Sequence, residues 1–113
     1  MKQSSAARRW PRYSAEGQVK VLSQHNEMKM MSFGRIRGIS EGGLSFSCAQ
    51  SLQIGAQIEV EFELPVAKSA VRLLAIVRSH KGDTYGVEFC EPGIRQRQGL
   101  IVACNALSLR RAV

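Results

Sequence analysis

The chain has 113 residues, 44% of them hydrophobic, which suits one domain with a buried core and excludes a wholly disordered chain. Sixteen Lys and Arg against nine Asp and Glu leave a formal charge of +7. That excess points to an anionic partner without choosing among nucleic acid, nucleotide and an acidic membrane face. No run approaches the roughly 20 apolar residues of a membrane-spanning helix, and the N-terminus MKQSSAARRWPRY lacks the apolar segment of a secretory signal. Cys48, Cys90 and Cys104 are widely spaced and odd in number, so no disulfide framework is expected and a cytoplasmic location follows.

Residues 1–7 are small and polar and are expected to be a disordered tail. QVKVLS, residues 18–23, reads as a strand with a two-residue period, followed by a turn over residues 24–27. A second extended segment is expected from Met28 to Ile39, with Gly34 marking a bulge or a close backbone approach. GISEGG, residues 38–43, is a turn signal. Leu44, Phe46 and Cys48 then alternate with Ser45 and Ser47 as in a half-buried strand.

The clearest strand is QIEVEFEL, residues 57–64, with Ile58, Val60, Phe62 and Leu64 on one face and Glu59, Glu61 and Glu63 on the other. Residues 70–79 form the next, and its Arg72 and Arg78 suit positions opposite those glutamates. HKGD, residues 80–83, reads as a hairpin turn and TYGVEFC, residues 84–90, as its returning strand. After Pro92-Gly93 the period changes to that of a helix, with Ile94, Leu100, Ile101, Cys104 and Leu107 on one stripe. Gly99 within it predicts unusually close packing, and the helix is expected to cover the outward-facing Leu74 and Ile76. Six strands and one terminal helix favour an all-β fold with a C-terminal helix, a six-stranded antiparallel β-barrel that leaves no free sheet edge. The domain is expected to span residues 8–109, followed by a short basic tail over 110–113.

The sequence proposes no catalytic machinery and no metal site. His25 and His80 each fall in an expected turn, and there is no Cys-x-x-Cys or His-x-x-x-His spacing. The three cysteines fall on apolar faces and read as core. Glu59, Glu61 and Glu63 alternate opposite a core face, the pattern of solvent exposure. Phosphate-binding and dinucleotide glycine loops are absent. No cofactor and no enzymatic activity are expected.

The charge is concentrated in residues 1–40, which hold eight basic residues against two acidic ones. Two motifs stand out there. The first is Arg8-Arg9-Trp10-Pro11-Arg12-Tyr13, before the first strand. The second is the turn Gly38-Ile39-Ser40-Glu41-Gly42-Gly43. Together they resemble the PilZ domain family, whose markers are Arg-x-x-x-Arg and, further on, Asp/Asn-x-Ser-x-x-Gly. Arg8 and Arg12 match the first, and Ser40 and Gly43 match the second. Gly38 stands where the family has Asp or Asn. The resemblance extends from about Arg8 to about Leu109.

What the resemblance implies is a six-stranded barrel with a terminal helix that binds cyclic di-GMP, a bacterial second messenger, and passes the signal to a partner protein in motility, adhesion or polysaccharide secretion. The ligand-binding set it implies is Arg8, Arg9, Arg12, Gly38, Ser40, Gly42 and Gly43. The chemistry of these residues agrees. Arginine forks onto a phosphate or onto guanine O6 and N7, and its plane stacks on a base. Ser40 offers a hydrogen bond to a guanine edge. Gly42 and Gly43 permit positive φ and a close ligand. Closure of the arginine segment over ligand would be an ordering transition suited to signalling. The bland alternatives are a solubilising basic tail and, for Ser40, a turn residue bonded to its own backbone. Two other functions remain open: an interaction adaptor of the same fold that binds no nucleotide, and a small basic barrel for RNA or single-stranded DNA. The last ranks lowest, because Phe46, Phe62 and Phe89 fall on core-facing positions rather than on a stacking surface.

Overall fold

A computed structural model describes residues 11–25, 27–64 and 70–112. The element order is β1 (Tyr13–Ser14), β2 (Gln18–His25), β3 (Met28–Ile39), β4 (Gly43–Ser47), β5 (Gln57–Glu63), β6 (Ala70–Lys81), β7 (Thr84–Phe89) and α1 (Ile94–Ala112). Strands β2 to β7 close into a six-stranded antiparallel barrel. Its order is β3-β2-β5-β6-β7-β4, and the β3–β4 pairing completes the circle. The two-residue β1 continues the β2 side of β3, pairing Tyr13 with Ile39 and Ser14 with Gly38. A pairing this short leaves no periodicity to read, and the sequence did not announce it.

Alternation decides which side chains fill the barrel. On β5, Ile58, Val60 and Phe62 are buried, and on β6 Val71, Leu73, Ala75 and Val77 are. Between them Glu61 pairs with Arg72 in the ladder, their side chains 3.3 Å apart. Lys20 of β2 reaches Glu61 from the other side at 3.4 Å. The expected placement of arginines opposite glutamates holds for Arg72, while Arg78 turns to Glu88 of β7 at 2.8 Å. Phe46, Phe62 and Phe89 are all in the core, as their strand parity requires.

Strand ends shift by one or two residues. β2 runs on to His25, with Glu27 at a φ of 66° before β3 begins. β6 reaches Lys81, and its hairpin turns on Gly82, whose φ of 63° is left-handed. β4 and β7 stop one residue short of Cys48 and Cys90. At Gly34 a Cβ would collide with the Ser47 carbonyl oxygen and lie 3.1 Å from the Cys48 Cβ, so glycine is there for the close approach rather than for a bulge.

The helix leaves Leu74 uncovered, while Ile76 is half-buried. Leu74 remains 46% exposed, because α1 packs on the barrel end defined by β1, the end of β5 and the start of β6. There Leu100, Ala103 and Leu107 join the barrel core. Gln96 ties the helix down, accepting from Gly93 N–H at 2.8 Å and donating to the Arg72 carbonyl at 2.7 Å. Gly99 is the expected close-packing point, since a Cβ there would lie 2.8 Å from Leu64 Cδ1. The helix extends to Ala112, so Arg110 and Arg111 fall in its last turn.

Candidate functional site

The turn between β3 and β4 sits at the same barrel end as β1 and the helix. Its shape follows from Ser40. Ser40 N–H donates to the Gly43 carbonyl at 2.9 Å, and Ser40 Oγ accepts from Gly42 N–H at 3.2 Å and from Gly43 N–H at 3.0 Å. The hydroxyl is buried and satisfies its own turn, as the bland alternative anticipated. Its own donation, to the Gly43 carbonyl, is long at 3.5 Å.

Gly42 and Gly43 do not occupy the positive-φ region, contrary to expectation; among described glycines only Gly17, Gly55 and Gly82 do. Gly43 is required for a different reason. It pairs with Glu88 of β7, and a Cβ there would run into the Val87 carbonyl oxygen. Gly42 accepts from Phe89 N–H at 2.9 Å. The two glycines hold the turn against β7.

Arg12 is exposed. The β1–β3 register pairs Tyr13 with Ile39, so one residue earlier it sets Arg12 level with Ser40. Arg8 and Arg9 lie outside the described residues, as do Trp10 and the expected tail over residues 1–7. Gly38 pairs with Ser14 on one side and Ser45 on the other. A Cβ at position 38 would meet Ser45 Oγ at 3.0 Å and the Tyr13 carbonyl oxygen at 3.3 Å.

The registers reveal what the motifs alone did not. Ser14, Gly38, Ser45, Gly86 and Ser79 line up across β1, β3, β4, β7 and β6. None of the five is buried, and no side chain in the row is larger than serine. The result is a smooth strip of outer wall beside the Ser40 turn, with Arg12 at one end. Arg35 and Arg37 stand exposed on β3 close to it. The strip offers a flat bed for a planar base and a cationic margin for phosphates. Only the outward parity of each strand hinted at it, because register cannot be read from one strand at a time.

An open depression of about 440 Å³ lies further along β3, lined by Gly17, Gln18, Phe33, Gly34 and Arg35. It takes in none of the residues singled out from the motifs. Among the described residues no three His, Cys, Asp or Glu side chains gather to hold a metal. Burial pushes the Cys104 thiol up to about 11, with the Glu41 carboxylate adding to the shift, and burial likewise raises Cys48. Both thiols are therefore held protonated. No helix among the described residues is long and apolar enough to cross a membrane.

Comparison with known proteins identifies the family and the fold. The family model described as PilZ domain matches residues 6–106. Among solved structures, the PilZ domain of YcgR from Escherichia coli with c-di-GMP superposes with a TM-score of 0.71 at 14% identity, covering 91% of this chain and 92% of that one. The PilZ domain of CeSA from a cellulose-synthesizing bacterium gives 0.65 at 15% identity, with 87% and 98% covered. The Bacillus subtilis inhibitor of motility MotI/DgrA gives 0.69 at 21% identity, covering 97% of this chain and 53% of that one. No curated protein sequence matches the chain.

Proposed function

The chain belongs to the PilZ domain family, and on that premise we propose that it is a non-catalytic receptor for cyclic di-GMP that relays the signal to a partner protein. One observation carries the reading. The β1–β3 register brings Arg12 level with the Ser40 turn and beside a strip of small residues on the outer wall. Two motifs some 25 residues apart thereby become one surface. A guanine base can lie on the Gly38–Ser45–Gly86 stretch, and the arginine segment that ends at Arg12 can close over it. Arginine supplies both the charge for two phosphodiesters and a plane for stacking. Ordering of that segment onto ligand is the output presented to the partner.

The turn itself contributes shape more than contacts, because the Ser40 hydroxyl is engaged with Gly42 and Gly43. Gly38 adds no side chain at the family's Asp/Asn position. These two features favour a second reading, a PilZ-fold adaptor that binds a protein partner without the nucleotide. Calorimetric titration with cyclic di-GMP and with GTP separates the two. The receptor reading expects binding selective over GTP that is lost in an Arg8→Ala/Arg12→Ala variant. It also expects about ten- to hundredfold tighter binding on Gly38→Asn, the equivalent of one recovered polar contact. A protein that retains its native circular dichroism and gives no heat with millimolar cyclic di-GMP is the adaptor.

A further inference from the structure

The barrel is closed only over part of β3. On one edge β3 pairs with β2 from Met28 to Arg35. On the other, β4 begins its pairing at Arg35, opposite Ser47; among the described residues no strand pairs with Met28–Gly34, although Ser47 packs close against Gly34 and Gln50 accepts from the Ser32 hydroxyl at 2.6 Å. Ile36 N–H donates to the Gly17 carbonyl at 2.8 Å, on the β2 side of the strand. Backbone groups alternate along a strand, so Lys29, Met31 and Phe33 turn their N–H and C=O away from β2, toward the uncovered edge. The side chains around that edge are apolar and exposed: Met28 by 68%, Met30 by 48%, Met31 by 57% and Phe33 by 54%. Long apolar edges of this kind invite another strand.

Charge identifies the kind of strand. β2 and β3 carry Lys20, Lys29, Arg35 and Arg37 and no Asp or Glu. The opposite edge of this same hairpin is already filled by β5, QIEVEFE, in which glutamates alternate with core residues. There Lys20 and Glu61 form a cross-strand ion pair. The fold therefore satisfies one edge of its cationic hairpin with an acidic alternating strand and leaves the other edge open to its like. Residues 1–10 and 65–69 of the chain contain Lys2, Arg8, Arg9 and Lys68 and no acid, so they do not supply it. A second copy fits poorly. Its own Met28–Gly34 edge would bring another Lys29 and no acidic residue against this one.

We propose that the Met28–Gly34 edge of β3 is a docking site for an extended segment of a partner protein in which acidic and apolar residues alternate, and which adds to the barrel as a strand. Lys29 and Arg35 bracket the site and select the acidic positions, which lie on their face of the strand, while Met28 and Met30 on the other face pack against the apolar ones. The proposal does not depend on nucleotide binding.

The test is amide hydrogen exchange of the full chain with two synthetic peptides. One is the β5 sequence Gln-Ile-Glu-Val-Glu-Phe-Glu, and the other has lysine in place of each glutamate. The acidic peptide is expected to slow exchange at the Lys29, Met31 and Phe33 amides about tenfold or more, equivalent to an occupied site with only a small open fraction. The lysine peptide should leave them unchanged. A Lys29→Glu/Arg35→Glu variant should reverse the preference. Methylating alternate backbone nitrogens of the acidic peptide should abolish protection without touching the protein. Equal protection by both peptides, protection at other amides, or none at millimolar acidic peptide overturns the proposal. Protection without peptide that rises with protein concentration overturns it in favour of self-association.

Discussion

Gly43→Ala should cost far more than a methyl group on an exposed turn ordinarily would. The position has no left-handed backbone to protect, so the effect is steric. An added Cβ would lie closer to the Val87 carbonyl oxygen than packed atoms allow, with the Val87 carbonyl carbon at 3.4 Å. The obstacle is backbone in a paired strand, which has no rotamer to change. Relief requires β4 and β7 to part by about 1 Å at Gly43–Glu88, judged from ordinary contact distances. That movement strains the Phe89 N–H to Gly42 carbonyl bond and the Ser40 N–H to Gly43 carbonyl bond, each now 2.9 Å. Overpacking of about 1–3 kcal/mol plus about 1 kcal/mol for one weakened hydrogen bond gives roughly 2–4 kcal/mol. In a domain of this size that is a fall in Tm on the order of 10–20 °C. Urea and thermal unfolding followed by circular dichroism measure it, with two glycine controls. Gly82→Ala meets open space but sits at φ 63°, so about 1–2 kcal/mol is expected from backbone strain. Gly38→Ala meets chiefly the tip of Ser45, which can rotate, and should cost under about 1 kcal/mol. A Gly43→Ala protein as stable as wild type, or more stable than Gly38→Ala, would refute the reasoning.

Two further outcomes follow from the same structure. Tyr85 is buried; its hydroxyl accepts from Leu52 N–H at 3.1 Å and donates to the Gln50 carbonyl at 3.2 Å. Tyr85→Phe leaves that buried N–H without a partner and should destabilise by about 1–3 kcal/mol in urea unfolding; an unchanged midpoint would show that the bridge contributes nothing. Arg72 and Lys20 hold the Glu61 carboxyl below its ordinary value of 4.5. A depressed folded-state pKa adds stability above the unfolded value, and that stability is lost as pH falls through the folded one. Wild type should therefore lose more stability than Arg72→Ala on acidification below pH 4.5, and parallel pH profiles would dismiss the ion pair. The site is exposed and salt should shrink the difference.

Much of the fold was legible because each strand declares its buried face by alternation. Ile58, Val60 and Phe62 against Glu59, Glu61 and Glu63 allowed only one orientation, and the change to helical spacing after Gly93 marked α1. The position of α1 was not legible. An amphipathic stripe says that a helix packs, not on what. Leu74 therefore stayed exposed while Leu100 filled the barrel end. Close approach at Gly34 and Gly99 was legible from their place within a strand and a helix, but that Gly43 permits close approach rather than positive φ depends on which backbone arrives opposite.

The candidate site divides along the same line. Residue types and spacing alone placed Arg12, Ser40 and Gly43 in two motifs of one family, since a motif is local in the chain. That the motifs share a surface is decided by the pairing of Tyr13 with Ile39, a contact between segments some 25 residues apart that no local signal encodes. The strip through Gly38, Ser45 and Gly86 and the open edge at Met28–Gly34 arise the same way. Each strand specifies its own two faces, but register and closure exist only between strands, and they settle which faces and edges become one surface.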